Sequence, residues 1–86
     1  MIRKLITEFL GTFLLCFVFL TTHNYLAIGT AYALALFVFR GGSFNPAIAM
    51  ALLMSKEIST KDLIVILVAQ FAAVILAYYF SQKVFS

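Results

Sequence analysis

Three long apolar stretches constrain this chain more than any other feature of its sequence. They cover residues 5–22, 25–39 and 63–80, and the first and third are each 18 residues long. As α-helix, 18 residues extend about 27 Å, close to the roughly 30 Å hydrocarbon core of a bilayer. A soluble domain is about 45–50% apolar, whereas 65% of these residues are hydrophobic and 10% are charged. We therefore expect an all-α membrane protein with three transmembrane helices.

The segment GGSFNPA interrupts the apolar sequence between the second and third stretches. A further apolar piece follows at residues 46–55, about 15 Å of helix, which is half a bilayer. Asn45 is a good N-cap residue, and Pro46 suits the first helical position because it needs no hydrogen bond there. Gly41 and Gly42 give the preceding loop conformational freedom. The pattern predicts a re-entrant half-helix that starts near the membrane centre and returns to the surface from which it came.

A helix that begins at the membrane centre directs its unpaired N–H groups and positive dipole end at whatever lies there. Irregular backbone at that depth is tolerated only inside protein or along a water-filled cavity. The side-chain oxygen of Asn45 can cap the helix while its NH₂ group offers donors to a passing solute. This arrangement favours a conduction path for neutral, hydrogen-bonding molecules. The structural alternative is a proline kink in a buried helix.

Two polar residues inside the long apolar stretches, Glu8 and Gln70, are candidates for holding this loop. A carboxylate in an apolar run is costly and marks a functional site. Glu8 shares a helix face with Gly11 and Thr12, and a glycine lets a neighbouring element approach closely. The carboxylate can accept N–H groups from an irregular loop, and Gln70 can bind the same loop. The alternative for Glu8 is a place near the interface, where it reaches water.

Three motifs in this order resemble the aquaporin, or major intrinsic protein, family. They are EFLGTF starting at Glu8, GGSFNPA starting at Gly41, and the S-x-K-D … AQ pattern that begins at Ser59. The resemblance covers most of the chain and implies half of that fold. Family members carry two inverted three-helix halves, whose Asn-Pro-Ala helix ends meet at the centre of the pore. Ile48, where the second half usually has arginine, indicates the first half.

The resemblance implies one half-channel unit over residues 1–86. Its three spans are expected near 5–22, 25–40 and 61–81, with the re-entrant loop and half-helix at 41–55. The implied function is passive transport of water or a small neutral solute such as glycerol. The implied pore and solute-binding residues are Gly41, Gly42, Ser43, Phe44, Asn45, Pro46 and Ala47, with Glu8 and Gln70 as supports of the loop. In this scheme Asn45 donates to the solute, Pro46 and Ala47 fix the start of the half-helix, and carbonyls near 41–44 accept.

The sequence departs from the family pattern in four places. The loop before Asn45 is several residues shorter than is usual in the first half. Ala72 or Ala73 stands where the third helix usually has glycine, which predicts looser packing there. No arginine follows Ala47, so these residues alone cannot assemble the narrow filter of the family. Arg40 precedes the glycines and is interpreted as an interface anchor.

Half a pore cannot conduct, so the resemblance implies a second half. The expected topology puts five cations on one side and one on the other; these are Arg3, Lys4, Arg40, Lys56 and Lys61 against Lys83. By the positive-inside rule, this bias predicts one orientation, with a cytoplasmic N-terminus and an outside C-terminus. The preferred partner is therefore a separate chain with a second Asn-Pro-Ala motif. An antiparallel homodimer ranks second, and a truncated gene without function third.

The remaining residues indicate no enzyme. His23 is the only histidine, lies far in sequence from any cysteine or carboxylate, and is expected at the membrane surface. Cys16 lies in an apolar run and is expected to be a small structural hydrophobe. We expect no metal, no cofactor and no nucleic-acid partner, with the lipid bilayer as surroundings. The competing class is a small three-helix membrane protein without a pore, such as a holin-like protein or an accessory subunit.

Overall fold

The computed structural model describes residues 1–85, which form four α-helices joined by short loops. The helices are α1 (Ile2–Thr22), α2 (Tyr25–Val38), α3 (Pro46–Met54) and α4 (Thr60–Phe85). The prediction of an all-helical chain is therefore confirmed. Two of the helices, α1 and α4, are long and apolar enough to cross a membrane.

Local sequence signals explain where the helices begin and end. The side chain of Asn24 caps α2 by accepting the N–H groups of Leu26 and Ala27 at 3.0 and 2.9 Å. At the start of α4, Ser59 Oγ accepts from the Asp62 N–H at 3.1 Å, and Asp62 Oδ2 accepts from the Ser59 N–H at 3.2 Å. This reciprocal pair is a capping box, the arrangement that the serine and aspartate spacing predicts.

The other two helices are shorter than a bilayer is thick. Helix α2 has 14 residues and α3 has nine, which correspond to about 21 and 14 Å of helix. Helix α4 has 26 residues, about 39 Å of helix. The described chain is 42 Å long in its longest dimension, similar to a bilayer of about 40–45 Å with its headgroups.

Helices α1 and α4 lie side by side and run in the same direction. Glu8 of α1 bonds to Gln70 of α4, and further along both helices Phe13 packs edge to face on Phe80. Residue numbers rise in the same direction on both helices, so the two helices are parallel. The α4 face toward α1 carries a buried small residue every fourth position: Ala69, Ala73, Ala77 and Ser81. Small side chains let helix backbones approach closely without help from the hydrophobic effect. Ala73, not Ala72, is the buried member of the alanine pair.

Helices α2 and α3 pack on different members of the α1–α4 pair. Helix α2 contacts α1, whereas α3 contacts α4 through a small apolar cluster of Ala49, Leu63 and Ile66. Within residues 1–85, α2 contacts neither α3 nor α4. The face between α2 and the start of α3 is consequently open.

Large apolar side chains cover the outside of the helices. Phe37 is 71% exposed, Ile64 58% and Tyr79 61%. Water would oppose so much exposed apolar surface on a chain of this size, whereas lipid tails would solvate it. The basic residues Arg3, Lys4 and Arg40 instead line a groove of about 310 Å³ at one end of the molecule.

Candidate functional site

The start of α3 is built by Asn45 and Pro46. Asn45 has extended backbone, with φ −153° and ψ 124°, and its Oδ1 accepts the Ala47 N–H at 2.8 Å. Pro46 occupies the first helical position, where its missing N–H costs nothing. Within residues 1–85, the NH₂ group of Asn45 makes no hydrogen bond, and the side chain is exposed. The cap is thus satisfied while two donors remain available to a ligand.

Glu8 holds the loop that leads to Asn45. One carboxylate oxygen accepts the N–H and Oγ–H of Ser43 at 2.7 and 3.0 Å, and the other accepts the Phe44 N–H at 3.0 Å. The Glu8 side chain is 1% exposed. Charge-assisted hydrogen bonds of this kind are about twice as strong as neutral ones. They satisfy the N–H groups of Ser43 and Phe44, which lie in a loop and take no part in helix or strand hydrogen bonding.

Gln70 joins the same cluster from α4. Its Nε2 donates to Glu8 Oε1 at 3.0 Å and to Ser43 Oγ at 3.1 Å, and the side chain is 1% exposed. Ser43 therefore accepts from Gln70 and donates to Glu8 through one hydroxyl. The structure brings these three residues together although 62 positions separate Glu8 from Gln70.

Phe44 places its ring between two glycines. It is 2% exposed, and a Cβ added to either Gly11 or Gly42 would overlap the ring. Its backbone is left-handed, with φ 60°. This conformation costs a non-glycine residue roughly 1–2 kcal/mol. The Glu8 hydrogen bond and the ring packing offset that cost, so the loop is held at Phe44 by both backbone and side chain.

Sequence reasoning missed Tyr32. This residue is half-buried on α2, and its hydroxyl donates to the Ser43 carbonyl at 2.8 Å. Its ring meets the Phe44 ring edge to face, with centroids 6.4 Å apart. The signal was present in the sequence, because a phenol inside an apolar helix needs a partner for its hydroxyl.

A groove of about 410 Å³ opens beside Asn45, on the face left free between α2 and α3. Its walls come from α1, α2 and the loop; they include Leu15, Cys16, Phe19, Ile28, Tyr32 and Phe44. The walls are largely apolar, and Asn45 and Tyr32 are the lining residues whose side chains carry nitrogen or oxygen. Such a surface suits a small solute that needs few hydrogen bonds.

The other predicted pore residues lie in different surroundings. Gly41 has φ 88° and lines the basic groove with Arg3, Lys4 and Arg40, away from Asn45. Ser43 is buried with Glu8, so its side chain does not face the groove. Pro46 lines the groove, and Ala47 is exposed on the first turn of α3.

The comparisons with known proteins give one informative relationship. The chain is 39% identical over 87 residues to "Glycerol uptake facilitator protein-like 6" of Lactiplantibacillus plantarum, with 87% of this chain aligned. It spans about 40% of the length of that curated relative. No family model matches the chain, and no solved structure matches it either.

The relationship agrees with the physical properties of the chain. The relative is named as a facilitator of uptake and not as an enzyme. Two long apolar helices and this relationship together identify a membrane protein. The chain is therefore a half-length relative of the major intrinsic protein family.

Proposed function

We propose that the chain supplies half of a passive channel for water or a small neutral solute such as glycerol. The observation that supports this proposal is the structure at the start of α3. There the capped Asn45 leaves its NH₂ group at an apolar groove of about 410 Å³. Hydrogen-bond donors at a helix N-terminus suit neutral solutes with acceptor oxygens, and the positive dipole end opposes cations.

In this proposal α1, α2 and α4 span the membrane and α3 is re-entrant. The spans lie near residues 5–22, 25–40 and 61–81, with the loop and half-helix at 41–55. The parallel course of α1 and α4 supports this topology, because one return crossing, here α2, must separate two spans that run the same way. Arg3, Lys4 and Arg40 gather at one end, which supports a cytoplasmic N-terminus and an outside C-terminus.

The pore roles are distributed over the cluster around the loop. Asn45 donates to the solute, and Pro46 and Ala47 define the helix start. Glu8 and Gln70 act as supports behind the loop. Four hydrogen bonds from buried donors to the Glu8 carboxylate support this role.

A second half completes the channel on the open face between α2 and α3. The preferred partner is a separate chain with a second Asn-Pro-Ala motif, and an antiparallel second copy of this chain ranks next. The one-sided distribution of basic residues favours the separate chain, because two opposed copies would require balanced charge.

Swelling of liposomes tests the proposal directly. The full chain is reconstituted alone and together with the part of the L. plantarum relative that it does not match. We expect faster water or glycerol entry than in protein-free liposomes in at least one of the two preparations. Entry equal to that of protein-free liposomes in both preparations would contradict the channel.

Asn45→Asp is expected to reduce solute flux by roughly two- to tenfold, the effect of losing one hydrogen bond to the solute. Aspartate is as good an N-cap as asparagine, so α3 keeps its start while the NH₂ donors disappear. The measurement is stopped-flow swelling in the preparation that conducts. Asn24→Asp is the matched control, because Asn24 caps α2 in the same way at an exposed turn. Equal losses in both variants would argue against a role for Asn45 in the pore.

Cys16 provides a reporter on the groove wall. It is half-buried, belongs to the groove beside Asn45 and is the only cysteine of the chain. We expect a small neutral methanethiosulfonate reagent to label it and to lower flux, since the added group fills part of the groove. A reducing agent should restore the flux. The Cys16→Ser variant should conduct and be insensitive, whereas undiminished flux after complete labelling would place the solute path elsewhere.

A further inference from the structure

The hydroxyl of Tyr32 is bonded to the backbone of the loop that leads to Asn45. It donates to the Ser43 carbonyl at 2.8 Å and stands on the wall of the groove beside Asn45. A hydroxyl that donates one hydrogen bond still has lone pairs with which to accept others. Tyr32 therefore ties α2 to the loop, and the lone pairs of its oxygen stay free to accept a further hydrogen bond.

The ring of Tyr32 is held at both ends. Its hydroxyl is fixed to Ser43, and its edge packs against Phe44, whose centroid is 6.4 Å away. Phe44 is in turn buried and bonded through its N–H to Glu8. To move the phenol out of the groove, the chain would have to give up the hydroxyl bond and the ring contact together.

From these contacts we propose that Tyr32 is the residue of this half that determines solute size. This inference rests on the proposed function of the groove as a solute path. The fixed phenol narrows the path at the level of Asn45, so that water passes more readily than a three-carbon polyol. Asn45 donates and the Tyr32 oxygen accepts, which is the pair of interactions that one water molecule can satisfy at once.

The test compares glycerol and water permeability in the liposomes that conduct. Tyr32→Val removes the ring, and we expect the ratio of glycerol to water permeability to rise roughly fivefold. Tyr32→Phe keeps the ring but releases it from Ser43, and we expect this ratio to rise roughly twofold. Both changes in the ratio correspond to a free energy of about one hydrogen bond or less. Tyr25→Val is the control, since Tyr25 lies on the same helix, is 80% exposed and is not part of the groove wall.

The outcomes separate this inference from the channel itself. If the wild type conducts and both Tyr32 variants keep its ratio of glycerol to water permeability, the role of Tyr32 is overturned and the channel proposal stands. A rise of equal size in Tyr25→Val also overturns it, because the effect would not be specific to the groove. A wild type without flux in either preparation contradicts the channel, and the role of Tyr32 falls with it.

Discussion

Glu8→Gln is expected to lower the free energy of unfolding by about 2–4 kcal/mol, because it leaves buried donors without a full set of acceptors. The Glu8 carboxylate accepts four hydrogen bonds: two from Ser43 and one each from Phe44 and Gln70. A glutamine of the same shape replaces one accepting oxygen by an NH₂ group. In either orientation that group would face a backbone N–H, of Ser43 or of Phe44, so two donors would meet in a site that is 1% exposed.

Denaturation by SDS in mixed micelles measures this effect. Glu57→Gln is the matched control: Glu57 is exposed in the turn after α3, where its side chain accepts the Ser55 hydroxyl at 2.8 Å. Its substitution should change stability by no more than about 0.5 kcal/mol. Hydrogen exchange adds a local readout, since the Ser43 and Phe44 amides should exchange faster in Glu8→Gln. Equal stability of the two variants would mean that the Glu8 cluster does not hold the loop.

Gly11→Ala is expected to destabilise the protein by about 1–3 kcal/mol, the usual cost of overpacking a filled site. A Cβ on Gly11 would overlap the Phe44 ring. That ring is 2% exposed and also packs on Gly42, so a shift away from Gly11 would disturb this second contact as well. The loop would have to shift as a whole, and its bonds to Glu8 would lengthen.

Gly29→Ala is the control for this substitution, with the opposite expected sign. Within residues 1–85, a Cβ built on Gly29 of α2 meets no atom within 4 Å apart from its chain neighbours and the backbone of its own helix. Alanine should therefore stabilise α2 by up to about 1 kcal/mol through helix propensity alone. Thermal unfolding in detergent would compare the two. Similar shifts of the same sign would show that the contact between Gly11 and Phe44 carries little energy.

Some parts of the site could be predicted from the sequence because they depend on neighbours along the chain. The cap of Asn45 on Ala47, the position of Pro46 and the capping box at Ser59 are all interactions within three residues. Residue chemistry and spacing are enough to predict such contacts. The roles of these residues in a pore stay predictions.

Other parts depend on contacts between distant segments. Tyr32 was missed because its partner, the Ser43 carbonyl, is a backbone group that every residue possesses. The left-handed backbone of Phe44 was also unforeseen, since the sequence favours glycine in that conformation and two glycines stand just before it. Tertiary contacts, among them the packing against Gly11 and the bond to Glu8, stabilise it there.

The sequence by itself determined that the chain is helical and apolar, and where α3 and α4 begin. Hydrophobic run length and helix capping are local properties, so they can be read without knowing the fold. Only the tertiary structure decided that Gly41 faces the basic end, that Ser43 is buried, and that Tyr32 stands beside Asn45. The physical reason is that the loop bonds to side chains of two different helices, and only the parallel packing of α1 and α4 brings Glu8 and Gln70 to one level.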